Sequence, residues 1–222
     1  MGETARSPRE RYREQVRDEI KSHAWSQVAA TGASALSLNA IAKRMGLSGP
    51  ALYRYYRSRD ELITELVLDA YRDLLETATT AAAGERAPTA RLTAVAAAMR
   101  GWALDAPHRY LLIYGTPVPG YAAPPEATTI ASGIMSVLLG AFAEAEAGRP
   151  SKAAAALDRH LGTHRAWAPD DAVPPAALRR ALAFWTRLHG VVSLEVAGHF
   201  TDMGFDPALL YAAEVDAAIT AP

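Results

Sequence analysis

Ser37-Leu38-Asn39-Ala40-Ile41-Ala42-Lys43-Arg44-Met45-Gly46-Leu47-Ser48-Gly49-Pro50-Ala51-Leu52-Tyr53-Arg54-Tyr55-Tyr56 decides the fold. Ser37 can cap a short helix over Leu38–Met45 that Gly46 closes, because a serine oxygen accepts from orphan amides and glycine tolerates left-handed backbone. Ser48 can cap a second short helix with Pro50 in its first turn, where a missing N–H costs nothing. Two short helices joined by Gly46-Leu47-Ser48 form a helix-turn-helix layout, whose second helix enters the DNA major groove by its N-terminal residues. Helical spacing turns Leu52 and Tyr56 inward with Ile41, Met45 and Leu47, and turns Pro50, Ala51, Arg54 and Tyr55 outward. Ala51 is small enough to approach a thymine methyl, and Arg54 can read guanine. The hydroxyls of Tyr53 and Tyr55 suit phosphate oxygens, and the helix start at Ser48 and Gly49 suits an anion. On spacing alone, an ordinary helical hairpin with stray tyrosines fits nearly as well.

Outward from this stretch the chain keeps helical period. Val16, Ile20, Ala24 and Val28 recur every four residues and Gly32 follows as a C-cap. Ser58-Arg59-Asp60-Glu61 is a Ser-x-x-Glu capping box opening a long helix through Leu62, Leu66, Ala70 and Leu74. Further helices are expected over Thr89–Leu104, Tyr110–Tyr114, Glu126–Ala147, Ala176–Met203 and Pro207–Ile219. Thr116–Pro125, with four prolines and a glycine, reads as a loop, and Arg149–Pro175 as a partly ordered connection. No run shows the alternation of a strand, so the expected class is all-α.

The 222 residues carry a formal net charge of −1, half are hydrophobic and none is cysteine. That is globular composition with room for a core. It excludes disulfides, a thiol nucleophile and any Cys-ligated metal. Met1–Arg17 is a charged run without an apolar core, which does not read as a secretory signal. Ala127–Ala143 falls short of the roughly 20 apolar residues of a membrane span. The charge is uneven: residues 1–65 hold eleven basic against eight acidic side chains, and residues 66–222 hold twelve against sixteen. A +3 head on a −4 body points to a local anionic partner.

The run Leu38–Leu62, in register over some two dozen positions, closely resembles the DNA-binding signature of the TetR (tetracycline repressor-type) family, and the match extends over about Val16–Leu66. The resemblance implies a three-helix DNA-binding domain at about residues 1–60 and a helical effector-binding and dimerisation domain at 61–222. It places DNA contacts on Ser37, Asn39, Ser48, Gly49, Ala51, Tyr53 and Tyr55, with Arg54 added from the residues, and a phosphate on Arg59. Tyr55 stands where the family often has histidine and Arg59 where it often has lysine; both still donate to phosphate. In the first helix Arg9, Arg13, Arg17 and Lys21 are spaced by four, but Glu10, Glu14 and Asp18 lie three residues before the last three of them. A self-paired face is therefore expected, leaving Arg6 as the better phosphate candidate.

Further on, Phe184-Trp185-Thr186-Arg187-Leu188-His189-Gly190 resembles a Trp-His-Gly-type C-terminal domain of one branch of that family. The resemblance implies a homodimer through the last two long helices, with Leu188, Val191, Val192 and Leu194 as an apolar segment and Gly190 and Gly198 allowing close approach. Met99, Trp102, Tyr110, Tyr114, Met135, Phe142, Trp185 and His189 supply the bulk and polar tips of an effector chamber, although plain core packing explains each one singly. Their mostly uncharged character favours a neutral or aromatic effector. His160 and His164 share a helical face, but no third ligand accompanies them and no metal or cofactor is expected. No nucleophile elbow, phosphate loop or dinucleotide fingerprint appears, so no enzyme is expected.

The expectation is thus a cytoplasmic, non-membrane, dimeric DNA-binding regulator, a repressor released from a palindromic operator by a small molecule. The alternative is a helical ligand-binding protein whose head docks a protein partner.

Overall fold

A computed structural model describes residues 7–168 and 170–221, and among these it contains ten α-helices and no strand. The all-α reading therefore holds.

Helix α1 (Pro8–Thr31) starts on a capping box absent from the sequence reading. Ser7 Oγ accepts from the Glu10 amide at 3.2 Å while the Glu10 carboxylate accepts from the Ser7 amide at 2.8 Å. Its four-residue stripe of Val16, Ile20, Ala24 and Val28 is buried, and Gly32 ends it at φ +79°. A 3₁₀ turn (Ala33–Ala35) leads to α2 (Leu38–Arg44), capped by Ser37 Oγ on the Ala40 amide. Gly46 sits at φ +66°, which a side chain would strain. That backbone lets the Leu47 amide reach the Ala42 carbonyl at 2.9 Å and the Gly46 amide reach Lys43 at 3.3 Å, the paired bonds of a Schellman stop.

Helix α3 (Gly49–Leu52) is a single turn, and the Ser48 side chain does not cap it. Pro50 removes one amide such a cap would take, and the Ala51 amide bonds the Ser48 carbonyl instead at 3.0 Å. Beyond Leu52 the backbone tightens, with the Tyr55 amide on the Leu52 carbonyl at 2.8 Å. In α4 (Arg59–Ala83) half of the expected box forms. Ser58 Oγ accepts from the Glu61 amide at 3.1 Å, but the Glu61 carboxylate turns to the Arg57 amide at 2.7 Å.

The remaining helices are α5 (Pro88–Asp105), α6 (Pro107–Tyr114), α7 (Pro125–Glu144), α8 (Lys152–Thr163), α9 (Pro175–Val196) and α10 (Pro207–Thr220). Two expectations need correction. The connection at 149–175 holds α8, which Ser151 caps on the Ala154 amide and Leu161 anchors in the core. Helix α9 ends at Val196, seven residues before Met203, because Gly198 at φ +77° turns the chain.

The chain divides into two compact units, one running up to Asp69 with His108–Pro124, the other Ala70–Pro107 with the chain from Pro125 onward. The long helix α4 contributes residues to both.

In the second unit α9 packs against α5, α7, α8 and α10. Phe142 meets Phe184 edge-on at 5.5 Å, and Arg180, only 3 % exposed, spans the ends of two helices. Its guanidinium donates to the Ala145 carbonyl just past α7 at 3.2 Å and to the Ile219 carbonyl of α10 at 3.0 Å. Arg100 clasps Glu195 through two bonds, at 2.9 and 2.5 Å, joining α5 to α9. Helix α7 is long and apolar enough, by length and composition only, to cross a membrane. Its Ala127, Ile134, Leu138, Leu139, Ala141 and Phe142 are buried in this unit.

Candidate nucleic-acid interface

The inward and outward faces of the helix-turn-helix separate as its spacing requires. Ile41, Leu52 and Tyr56 are fully buried, Met45 and Leu47 half-buried, and Leu38 and Ala42 close the core between α1 and α2. On the other side Asn39, Ser48, Pro50, Tyr53 and Arg54 are exposed, while Ser37, Gly49, Ala51 and Tyr55 are half-buried. Tyr53 stands 45 % exposed, an apolar ring that nothing in the head requires to face water. Asn39 lies beside the start of α3: a Cβ at Gly49 would sit 3.5 Å from its Oδ1, so the two candidate contact residues are neighbours. Lys43 and Arg44, exposed in the last turn of α2, widen the positive face.

The cations of α1 divide. Arg9 and Arg13 are exposed, whereas Arg17 and Lys21 turn onto α4. The Arg17 guanidinium pairs with Glu65 and donates to the Tyr55 carbonyl at 3.0 Å. One turn on, Lys21 pairs with Asp69 at 3.0 Å and with Asp18 at 3.3 Å. Burial alone would lower the Lys21 pKa, but the bonds and charges of Asp69 and Asp18 outweigh it and raise it. Sequence spacing could suggest the Asp18 partner but not the two on α4, which lie 48 residues away. Arg6 lies outside the described residues.

Arg59, expected on a phosphate, already donates through Nη2 to the carbonyls of Ala33 (2.9 Å) and Ser34 (3.1 Å), with Asp60 at 3.7 Å from Nη1. Helix α6 belongs to the same unit. His108 meets the Trp25 ring edge-on at 5.6 Å and the Arg109 guanidinium lies 5.6 Å from that ring, fixing the start of α6 to α1. Burial and Arg109 lower the His108 pKa.

The candidate chamber residues are split between the units. Tyr110 and Tyr114, their rings 5.3 Å apart, fall in the first, where burial pushes the Tyr110 hydroxyl up to about 12. Met99, Trp102, Met135, Phe142, Trp185 and His189 fall in the second. There Trp185 and His189 meet edge-on at 4.1 Å, and burial holds the His189 pKa down at about 4. Trp102 is 8 % exposed and spends its Nε1–H on Asp73 at 2.9 Å. Phe142 lies under Arg180, 4.8 Å from the guanidinium carbon to the ring centre. His160 and His164 stack at 4.0 Å, and among the described residues no group of three or more side chains could hold a metal ion.

A helix-turn-helix with an exposed outer face and surrounding cations, followed by a larger helical unit, defines the class of helix-turn-helix DNA-binding proteins. Comparison with known proteins gives the family. Residues 20–66 match the family described as "Bacterial regulatory proteins, tetR family", and residues 92–218 match "Tetracyclin repressor-like, C-terminal domain". The chain is 35 % identical over 218 residues to the HTH-type transcriptional regulator Rv1816 of Mycobacterium tuberculosis, covering 91 % of this chain and 90 % of that protein. The Mycobacterium bovis regulator Mb1846 matches to the same extent. Among solved structures, SCO4313, described as a regulatory protein, is 58 % identical with a TM-score of 0.85, covering 96 % of this chain and 98 % of that one. PfmR of Thermus thermophilus, a TetR family regulator, is 16 % identical with a TM-score of 0.57 over 91 % of this chain and 97 % of its own, and shares the fold. The chain belongs to the TetR family of DNA-binding transcriptional regulators.

Proposed function

We propose that this protein is a cytoplasmic repressor that holds a palindromic operator as a homodimer and leaves it when a small molecule binds the second unit. The observation that carries the DNA half of this reading is the sorting of Ser37–Arg59. Leu38, Ile41, Ala42, Leu52 and Tyr56 are buried, while Asn39, Ser48, Tyr53 and Arg54 face water beside the half-buried Ser37, Gly49, Ala51 and Tyr55. In this reading Ala51 and Arg54 meet base edges, and Ser37, Asn39, Ser48, Gly49, Tyr53 and Tyr55 complete the contact with bases and phosphates. Arg59 reaches a phosphate with the donors its turn contacts leave over.

A single head spans only a few base pairs, and two-fold pairing supplies the second half-site. The exposed faces of α9 and α10 support this. Leu188, Val191 and Val192, which the sequence reading assigned to the seam, are buried within their own chain. Ala183, Thr186, Arg187, Gly190 and Leu194 remain outside along one face of α9, and Leu209, Ala212, Ala213 and Ala217 along α10. Small residues with exposed leucines suit close packing of helices from a second copy.

Met99, Trp102, Met135 and Trp185 with His189, all in the second unit, favour a neutral or aromatic effector, whereas Tyr110 and Tyr114 belong to the first unit. Release then follows as a population shift, provided the effector binds the released state more tightly than the DNA-bound one.

The test is a gel-shift titration against an operator recovered from a random pool. Tyr53→Ala and Arg59→Ala are expected to weaken binding strongly, and the compound identified by mass spectrometry in the purified protein is expected to release the DNA. Unchanged binding by both variants contradicts the proposed contact face.

A further inference from the structure

The least expected feature of the head is where its Arg17 points. A cation on the first helix of a DNA-binding domain, in line with Arg9 and Arg13, reads as a phosphate ligand or as a partner for Glu14. It is neither here. Its guanidinium lies 4.5 Å from the centre of the buried Tyr56 ring, donates to the Tyr55 carbonyl at 3.0 Å, and pairs with Glu65 on α4. Glu65 uses its second oxygen to accept from the Tyr56 hydroxyl at 2.6 Å. Burial raises the Tyr56 pKa, so the hydroxyl keeps the proton it donates. Three helical segments thus meet at one cluster: α1 through Arg17, the end of the α3 turn through Tyr55 and Tyr56, and α4 through Glu65.

We propose that Arg17, Tyr56 and Glu65 form a positioning clamp that sets the aim of the DNA-reading segment, and that Arg17 contributes to operator recognition without touching a phosphate. This rests on the reading of α3 as the DNA-contacting element. Helix α3 is one turn long, with no cap from Ser48, so its own hydrogen bonds fix its direction poorly. The clamp holds its far end instead. Arg17 bonds the carbonyl of the residue whose side chain, Tyr55, stands among the outward contacts, and Tyr56 is the buried residue next to it. Lys21 with Asp69, one helical turn further on both helices, forms a second rung and keeps α1 and α4 from sliding. A guanidinium suits this place because its planar fork bonds a carboxylate and a carbonyl at once, which a lysine ammonium does less well.

The two roles predict opposite signs. If Arg17 is a phosphate ligand restrained by Glu65, then Glu65→Gln releases it, removes a negative charge near DNA and tightens binding. If the clamp aims α3, Glu65→Gln loosens the aim and weakens operator binding.

The full-length protein is titrated with its recovered operator, and with a scrambled duplex, across a series of salt concentrations. Circular dichroism confirms that each variant is folded at the assay temperature. Glu65→Gln and Arg17→Ala are expected to weaken operator binding roughly tenfold. Scrambled-DNA binding and the slope of log K against log salt should stay as in the wild type. Tyr56→Phe, which loses only the hydroxyl, is expected to lose a smaller factor in the same direction. Three results overturn the clamp: equal or tighter operator binding by Glu65→Gln, undiminished binding by Tyr56→Phe, or a fall in the Arg17→Ala slope of about 1.8, one phosphate per subunit. A wild-type protein that recovers no sequence from the pool contradicts the DNA-reading role of α3 itself, and is distinguishable because it precedes any variant.

Discussion

Arg59 Nη2 donates to the Ala33 carbonyl at 2.9 Å, so the first residue of α4 holds the turn that leads into α2. Arg59 is also expected on a phosphate, and the two uses are separable. Arg59→Ala is expected to lose about 1 kcal/mol of stability with the turn contacts, and its phosphate contact as well. Arg59→Lys is shorter and lacks the planar guanidinium that places Nη2 between the two carbonyls, but it keeps a charge for phosphate. Thermal melts should fall for both variants, while the salt slope of operator binding should fall only for Arg59→Ala. Unchanged melting in both contradicts the anchoring role.

Arg180 replaces water at the C-terminal ends of α7 and α10, where carbonyls lack helical partners. Arg180→Met fills similar space and leaves the Ala145 and Ile219 carbonyls without that donor. Urea unfolding should show a loss of about 2 kcal/mol or more. A change below about 0.5 kcal/mol, the range of ordinary surface substitutions, contradicts the capping role.

His189 carries a pH signature. Burial lowers its pKa in the folded protein from 6.5 to about 4. The unfolded imidazole therefore takes up a proton before the folded one does, and acid favours unfolding. This contribution is intact above pH 6.5 and shrinks as pH falls towards 4, by on the order of 3 kcal/mol. Urea unfolding between pH 7.5 and 4.5 should show His189→Gln losing less stability than the wild type across that window. Parallel pH profiles count against a neutral, buried imidazole.

The exposed α9–α10 faces give a further expectation. Leu209 is 71 % exposed and Leu194 44 %, in a chain that buries most of its leucines. Leu209→Glu should shift the protein from dimer to monomer in sedimentation velocity and weaken operator binding, leaving the helical content unchanged. A variant that stays dimeric removes α10 from the interface.

What the sequence disclosed was what local chemistry determines. Gly46 had to be left-handed, Ser37 had an amide to cap, and Ile41, Leu52 and Tyr56 shared a face; these rules act over fewer than 20 residues. The misses have separate causes. Ser48 looked like a cap but faced Pro50, which has no N–H to offer. Arg17 and Lys21 found carboxylates 48 residues away, on a helix whose packing no spacing rule supplies. Helix α8 hid within a segment whose alanines, proline and aspartates looked like linker. The candidate chamber was the least legible part, because Trp102 bonds Asp73 and Phe142 lies beneath Arg180, contacts between separate helices that no spacing rule supplies.

In the proposed function the head reads DNA as one half of a symmetric pair, through the outer face of α3. Selection of double-stranded DNA from a random pool by the full-length protein tests it directly. Selection should enrich a palindrome whose half-site centres lie about one helical turn apart, or a multiple of that, with enrichment abolished by Tyr53→Ala. A pool that remains random, or an enriched site without two-fold symmetry, contradicts it.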